Sequence, residues 1–153
     1  MRIRVAQDKA ELLQNLLYTP DNPHGLFTTY ADILVFAASL GQKYQYRITL
    51  DAIAKEPNPI SLEVFHSRGY EPWLKLLALV ETNNPETISV NNLNREEEII
   101  AIFEEYANGG LSKLQEKLQG AIDYSERILL ILSQEMQPDG NNNQEFDLSK
   151  FLP

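Results

Sequence analysis

The stretch Thr28–Gly41, TTYADILVFAASLG, decides the fold. On a helical wheel Tyr30, Ile33, Leu34, Phe36, Ala37, Ala38 and Leu40 leave almost no polar side. A helix that is apolar on most sides sits among other elements, not at the edge of a fold. Thr28 or Thr29 can accept the free N–H groups at its start, and Asp32 suits the positive end of its dipole. Gly41 is placed to end it as a C′ glycine. The segment reads as the central helix of a mainly α protein.

The flanking sequence supplies the helices around it. Arg2–Val5 alternates and suggests a short strand. Asp8 and Glu11 have the spacing of a capping box ahead of Leu12, Leu13, Leu16 and Leu17. Thr19–Gly25 (TPDNPHG) is a loop. Lys43–Leu50 (KYQYRITL) supports two readings, a strand or an extended connection. A short helix is expected at Asp51–Lys55, and either a helix or a strand at Ile60–Ser67. Pro72 fits the first turn of a helix through Trp73, Leu76, Leu77 and Val80, which Asn83-Asn84-Pro85 breaks. Ile88–Leu93 is short and irregular. Asn94 with Glu97 gives a second capping box, opening a helix over Arg95–Ala107 that turns Ile99, Ile100, Ile102, Phe103 and Tyr106 inward. Asn108-Gly109-Gly110 should stop it and leave Leu111–Leu118 as a separate helix. Gly120 breaks the chain again, and Asp123 or Ser125 starts a last helix through Ile128, Leu129, Ile131 and Leu132. The expectation is a compact bundle of five to seven helices with at most a minor β element at the N-terminus. Residues 1–136 form one helical domain, and 137–153 a polar linker (Pro138–Gln144) followed by an apolar tail.

Composition narrows the chemistry. The 153 residues include no cysteine, so disulfides, thiolate metal sites and cysteine nucleophiles are all excluded. Neither an apolar stretch behind Arg2 and Arg4 nor a run near the roughly 20 residues of a membrane span is present. The protein is expected to be soluble and cytoplasmic, with no membrane partner. The net charge of −9 is uneven: residues 1–75 hold eight Lys/Arg and eight Asp/Glu, and residues 76–153 five and fourteen. Duplex DNA binding runs on phosphate neutralisation, so contact with nucleic acid would fall to the N-terminal half.

Phe27–Gly41 (FTTYADILVFAASLG), Glu56–Phe65 (EPNPISLEVF) and Ile102–Leu111 (IFEEYANGGL), with Ile3-Arg4-Val5-Ala6 and Asp123-Tyr124, resemble the DNA phosphorothioation-associated protein 4 family, also called Dnd system-associated protein 4. The resemblance runs from about Met1 to Gln134. It implies a bacterial gene cluster that replaces a non-bridging backbone oxygen of DNA with sulfur, and an accessory role there. It carries no catalytic residues onto this chain. Without cysteine the chain can neither relay sulfur as a persulfide nor hold a cysteine-ligated iron–sulfur cluster. Support of modification, of restriction, or regulation of either stays open.

Several side-chain groups are candidates for function. Phe146, Leu148, Phe151 and Leu152, beyond the polar linker, have the look of a docking peptide that folds on its own domain, a sister chain or another protein. Glu97, Glu98, Glu104 and Glu105 make an acidic helix that suits a basic partner, against the plainer reading of a solvated face. Arg2, Arg4, Lys43, Tyr44, Tyr46 and Arg47 mix cations with aromatics as single-strand-binding surfaces do, and are adjacent if two strands pair. Edge-strand charge that discourages aggregation is the alternative. His24 and His66 are the only histidines, and His66 follows Glu63 by three residues without the second histidine of a helical metal motif. Trp73 is expected in the core or as an interface anchor. No cofactor or metal is expected. The favoured function is a non-catalytic adaptor or regulator that binds a protein from the same gene cluster. The runner-up is a DNA-contacting accessory or transcriptional regulator using the basic–aromatic patch, and the third reading is a hydrolase centred on His66 and Glu63. Oligomeric state stays open.

Overall fold

The structure, a computed structural model, describes residues 1–88 and 93–136. Among them are six α-helices and one small sheet: β1 (Arg2–Ile3), α1 (Ala10–Leu16), α2 (Tyr30–Lys43), β2 (Ile60–Ser61), α3 (Leu62–Ser67), α4 (Glu71–Thr82), α5 (Leu93–Leu118) and α6 (Tyr124–Met136). The protein is mainly α, as the periodicity required. β1 and β2 pair antiparallel, with Arg2 opposite Ser61 and Ile3 opposite Ile60. None of the described helices is long and apolar enough to cross a membrane.

α2 and α5 form the most extensive helix pair, and the other elements pack around them. Thr29 caps α2 by accepting the Asp32 N–H at 3.2 Å. Ala31, Ile33, Leu34, Ala37, Ala38, Leu40 and Gly41 of α2 are all buried. α5 presents Ile100, Phe103, Ala107, Leu111, Leu114 and Leu118 to the same core. Phe103 receives Phe65 of α3 edge-on at 5.5 Å and Trp73 of α4 at 5.9 Å between ring centroids. Trp73 is half-buried, one edge in the core and one at the surface.

Three expected boundaries are corrected. Gly41 does not end α2, which continues to Lys43. Asn108-Gly109-Gly110 does not stop α5, which runs through it for 26 residues. Both corrections have one cause. A Cβ built at Gly41 would lie 2.1 Å from the Tyr106 carbonyl oxygen, and one at Gly110 would lie 1.6 Å from that of Ala37. The glycines let the two helix backbones touch, and the burial gained there outweighs the ~1 kcal/mol each glycine costs a helix interior. Asn108 is held in that crossing by donating to the Ile48 and Thr49 carbonyls at 3.2 and 3.3 Å. The third correction is at Asp8. It lies in a 3-10 turn (Gln7–Lys9), and α1 starts without a side-chain cap. The Asp8 carboxylate instead receives Lys9 Nζ at 2.8 Å.

Of the two readings of Lys43–Leu50, the strand does not form: Lys43 ends α2, Tyr44 and Gln45 turn, and only residues 46–50 make a connection without regular structure. Tyr46 N–H donates to the Gly41 carbonyl at 2.9 Å and Ile48 N–H to that of Glu105 at 3.1 Å, so the segment lies along α5. No helix forms at Asp51–Lys55. There the backbone is used sideways: Gln7 N–H donates to Ala52 O and Ala54 N–H to Val5 O, both at 2.8 Å. Ile60–Ser67 is a strand and then a helix. α5 opens at Leu93, one residue before Asn94. Asp123 Oδ1 accepts the Glu126 N–H at 3.3 Å and starts α6.

Candidate functional site

Glu104 and Glu105 sit side by side on α5, and each takes one of the candidate arginines. Arg4 Nε donates to Glu104 Oε2 at 3.0 Å, with the Glu104 side chain 2% exposed. Burial pushes the Glu104 carboxyl up, and Arg4 draws it back only in part. Arg47 Nε donates to Glu105 Oε2 at 2.9 Å and also pairs with Glu81 of α4. Its guanidinium lies 5.4 Å from the centre of the Tyr106 ring. Burial first, and the Glu81 carboxylate second, push the Tyr106 hydroxyl up to about 12. Arg4 and Arg47 thus meet at one level of α5 through adjacent carboxylates, and not through paired strands. Arg2 faces elsewhere, donating to the Pro59 carbonyl at 3.0 Å. Glu97 and Glu98, two turns earlier on α5, are exposed.

Tyr44 and Tyr46 belong to a different neighbourhood. Both are about two-fifths exposed. Lys113 Nζ lies 4.7 Å from the Tyr46 ring centre and 5.8 Å from that of Tyr44, and Lys117 Nζ lies 5.4 Å from Tyr44. The basic–aromatic cluster therefore gains two lysines that the sequence reading did not include. They are four residues apart, and that spacing on one helix face was the available signal. Lys43, beside this cluster, pairs with Glu135 of α6, which also accepts from the Tyr44 hydroxyl.

His66 Nδ1 is 3.6 Å from Glu71 Oε2, and both side chains are more than two-fifths exposed. Glu63 lies in the same short helix α3. The His24 carbonyl accepts from Ser125 Oγ at 2.7 Å. Phe146, Leu148, Phe151 and Leu152 lie outside the described residues.

Among the described residues, two clefts could admit ligands. One, of about 190 Å³, lies between α2 and α4 and is lined by Ser39, Gln42, Trp73, Leu76, Leu77 and Val80. The other, of about 300 Å³, is polar and lies where α1 meets the end of α5, with Glu11, Asn15, Gln115 and Tyr124 among its walls. Neither is lined by His66 or Glu63. A third surface is apolar. On α6, Ile128 and Ile131 are buried in the core, yet Leu129, Leu132 and Met136, spaced by three and four residues, are 60%, 37% and 83% exposed. The helix is apolar toward the core and again toward solvent.

These features define a class: a small helical protein with a tightly crossed central pair, cations largely held by its own carboxylates, and apolar side chains turned outward on its last helix. The sequence model of one family, DNA sulphur modification system-associated protein 4, matches residues 2–151, and the chain belongs to that family. The match reaches past Gln134, where the resemblance read from the sequence stopped, and takes in Phe146, Leu148 and Phe151. No curated protein and no solved structure matches the chain.

Proposed function

We propose that this protein is a non-catalytic adaptor or regulator of a DNA sulphur modification system, and that it binds a partner protein through the outer face of α6. One observation carries the reading. Leu129, Leu132 and Met136 form an exposed apolar stripe on a helix whose other side is already buried. Exposed apolar patches on folded proteins mark contact surfaces, because leaving them in water costs free energy that a partner recovers. Ile122, just before the helix, is also fully exposed. The exposed Glu97 and Glu98 offer a separate acidic contact to a basic partner. Glu104 and Glu105 are engaged by Arg4 and Arg47, which weakens both the acidic-face and the arginine-based readings at those four residues.

The test is capture of cluster-encoded proteins from cells carrying the complete gene cluster, with and without nuclease. A protein of the cluster should be retained after nuclease and lost with Leu129→Glu plus Met136→Glu. Capture that disappears with nuclease alone overturns the reading.

A second reading, direct contact with single-stranded nucleic acid, is favoured by the Tyr44, Tyr46, Lys113 and Lys117 cluster, since bases stack on tyrosines while lysines take the phosphates. Its mark is oligonucleotide binding that falls steeply with salt and with Lys113→Ala plus Lys117→Ala. Salt-insensitive binding, or none, overturns it.

A further inference from the structure

We propose that the apolar tail, Phe146–Leu152, docks in its own chain, seating a phenyl ring in the cleft between α2 and α4. The cleft asks for an apolar occupant. Leu76 and Val80, one turn apart on α4, are 56% and 59% exposed along it, and Trp73 closes one side. A cavity of ~150 Å³ takes a benzene ring. At about 190 Å³ this cleft takes one phenyl ring with a little space beside it.

The position where the described chain ends selects the tail over other occupants. α6 finishes at Met136, and its penultimate residue Glu135 is bound to Lys43 and Tyr44 at the end of α2. Lys43 adjoins Gln42, which lines the cleft. The described chain therefore ends one residue after a side chain bound to the neighbour of a groove-lining residue. Nine residues separate Met136 from Phe146, and the ten Cα-to-Cα steps span at most ~33–36 Å when extended. The cleft on α2, from Gln42 back to Ser39, occupies less than one helical turn, ~5 Å. The linker reaches with slack.

The tail sequence fits the role. Glu145–Leu152 reads EFDLSKFL, with Leu148, Phe151 and Leu152 at i, i+3 and i+4. That spacing is how an amphipathic turn fills a hydrophobic groove. The family model's match extends through residue 151 and so covers Phe146, Leu148 and Phe151. Tethering supplies the remainder. A short tether holds the tail at an effective concentration of ~1 mM, so even a weak contact is occupied in the same chain before a free partner competes. The α4 cleft is then self-occupied, and a ligand for it must displace the tail.

Trp73 is the only tryptophan in the chain and lies in this cleft, so it reports occupancy. In the full chain, Phe146→Asp with Phe151→Asp should shift Trp73 emission to longer wavelength, because the indole loses its apolar cover. The chain has no cysteine, so Val80→Cys with Ser149→Cys can be joined by a short bismaleimide. The product should be a cross-linked monomer, and adding Phe151→Asp should abolish it. Unchanged emission overturns the proposal. So does absence of the cross-link, or a cross-link that joins two chains, which would make a sister molecule the occupant. None of these readouts involves the partner protein proposed for α6, so either idea can fail without the other.

Discussion

Gly110 has no room for a side chain against Ala37: a Cβ there would stand 1.6 Å from the Ala37 carbonyl oxygen. In an exposed helix interior, replacing glycine with alanine stabilises by up to ~1 kcal/mol. Here the sign reverses, because the obstacle is backbone and cannot rotate away. Gly110→Ala is expected to cost about 3 kcal/mol or more, the upper end for overpacking, through forced separation of α2 and α5. Gly41→Ala, whose Cβ would meet the Tyr106 carbonyl at 2.1 Å, should behave alike. Urea unfolding of both variants measures this, and a midpoint equal to or above the parent's would refute the backbone contact.

The Arg4–Glu104 pair is asymmetric, and the two halves should respond differently. The Arg4 side chain is 53% exposed and Glu104 only 2%. Removing the arginine strands a buried carboxylate, at a cost on the order of 2–3 kcal/mol near neutral pH. Removing the charge with Glu104→Gln leaves an arginine that water can solvate, so its cost should be within about 1 kcal/mol. The pH dependence follows from direction. Burial holds the Glu104 carboxyl above its ordinary value, so its contribution is most favourable below the unfolded value and declines as pH rises through the folded one. In Arg4→Ala the upward push is unopposed, so stability should fall more steeply between about pH 4 and 7 than in the parent. Denaturant midpoints across that interval decide it.

Much of this was legible in the chain. The apolar phase of α5 runs Ile100, Phe103, Ala107, Leu111, Leu114, Leu118 without a break across Gly109 and Gly110, so one helix was readable there. Local turn chemistry argued for a stop, and tertiary packing against α2 overrode it. Glu104 falls in the same phase, four residues after Ile100 and three before Ala107, which marks it as a carboxylate in need of a partner. That the partner is Arg4, a hundred residues away, depends on the chain path, which periodicity does not encode. The same limit hid the lysine–tyrosine cluster. Tyr44 and Tyr46 were seen as a patch, but only the crossing of α2 and α5 brings Lys113 and Lys117 over them. Asp8 failed differently: the box spacing was present, yet Gln7 is tied to Ala52 and the turn tightens before the box can form.

Asp32 should make the fold sensitive to acid. Burial alone would raise its carboxyl, but hydrogen bonds from Tyr70, Thr29, Arg68 and Thr28 together outweigh that and hold it below its ordinary value. Arg68 grips both oxygens at 2.8 Å. The stabilisation is complete above the unfolded value of ~3.9 and is lost as pH falls through the lower folded one. Asp32→Asn is expected to cost about 1–2 kcal/mol at pH 6, and this difference from the parent should shrink toward zero by about pH 2. A difference that stays constant with pH would mean the carboxylate charge contributes nothing.

α6 offers the sharpest separation of stability from binding, because residues two positions apart point opposite ways. Ile131 is 3% exposed and Leu129 is 60% exposed. Ile131→Ala should cost about 2–4 kcal/mol by opening a cavity in the core. Leu129→Glu should change stability by no more than about 0.5 kcal/mol, since the side chain is already in water. If the outer stripe exists for a partner, the order reverses in binding: Leu129→Glu abolishes capture of the cluster protein, while Ile131→Ala, assayed at a temperature where it is still folded, retains it. Thermal melts and capture on the same preparations measure both axes. Loss of capture in proportion to lost stability would show that α6 serves only the fold.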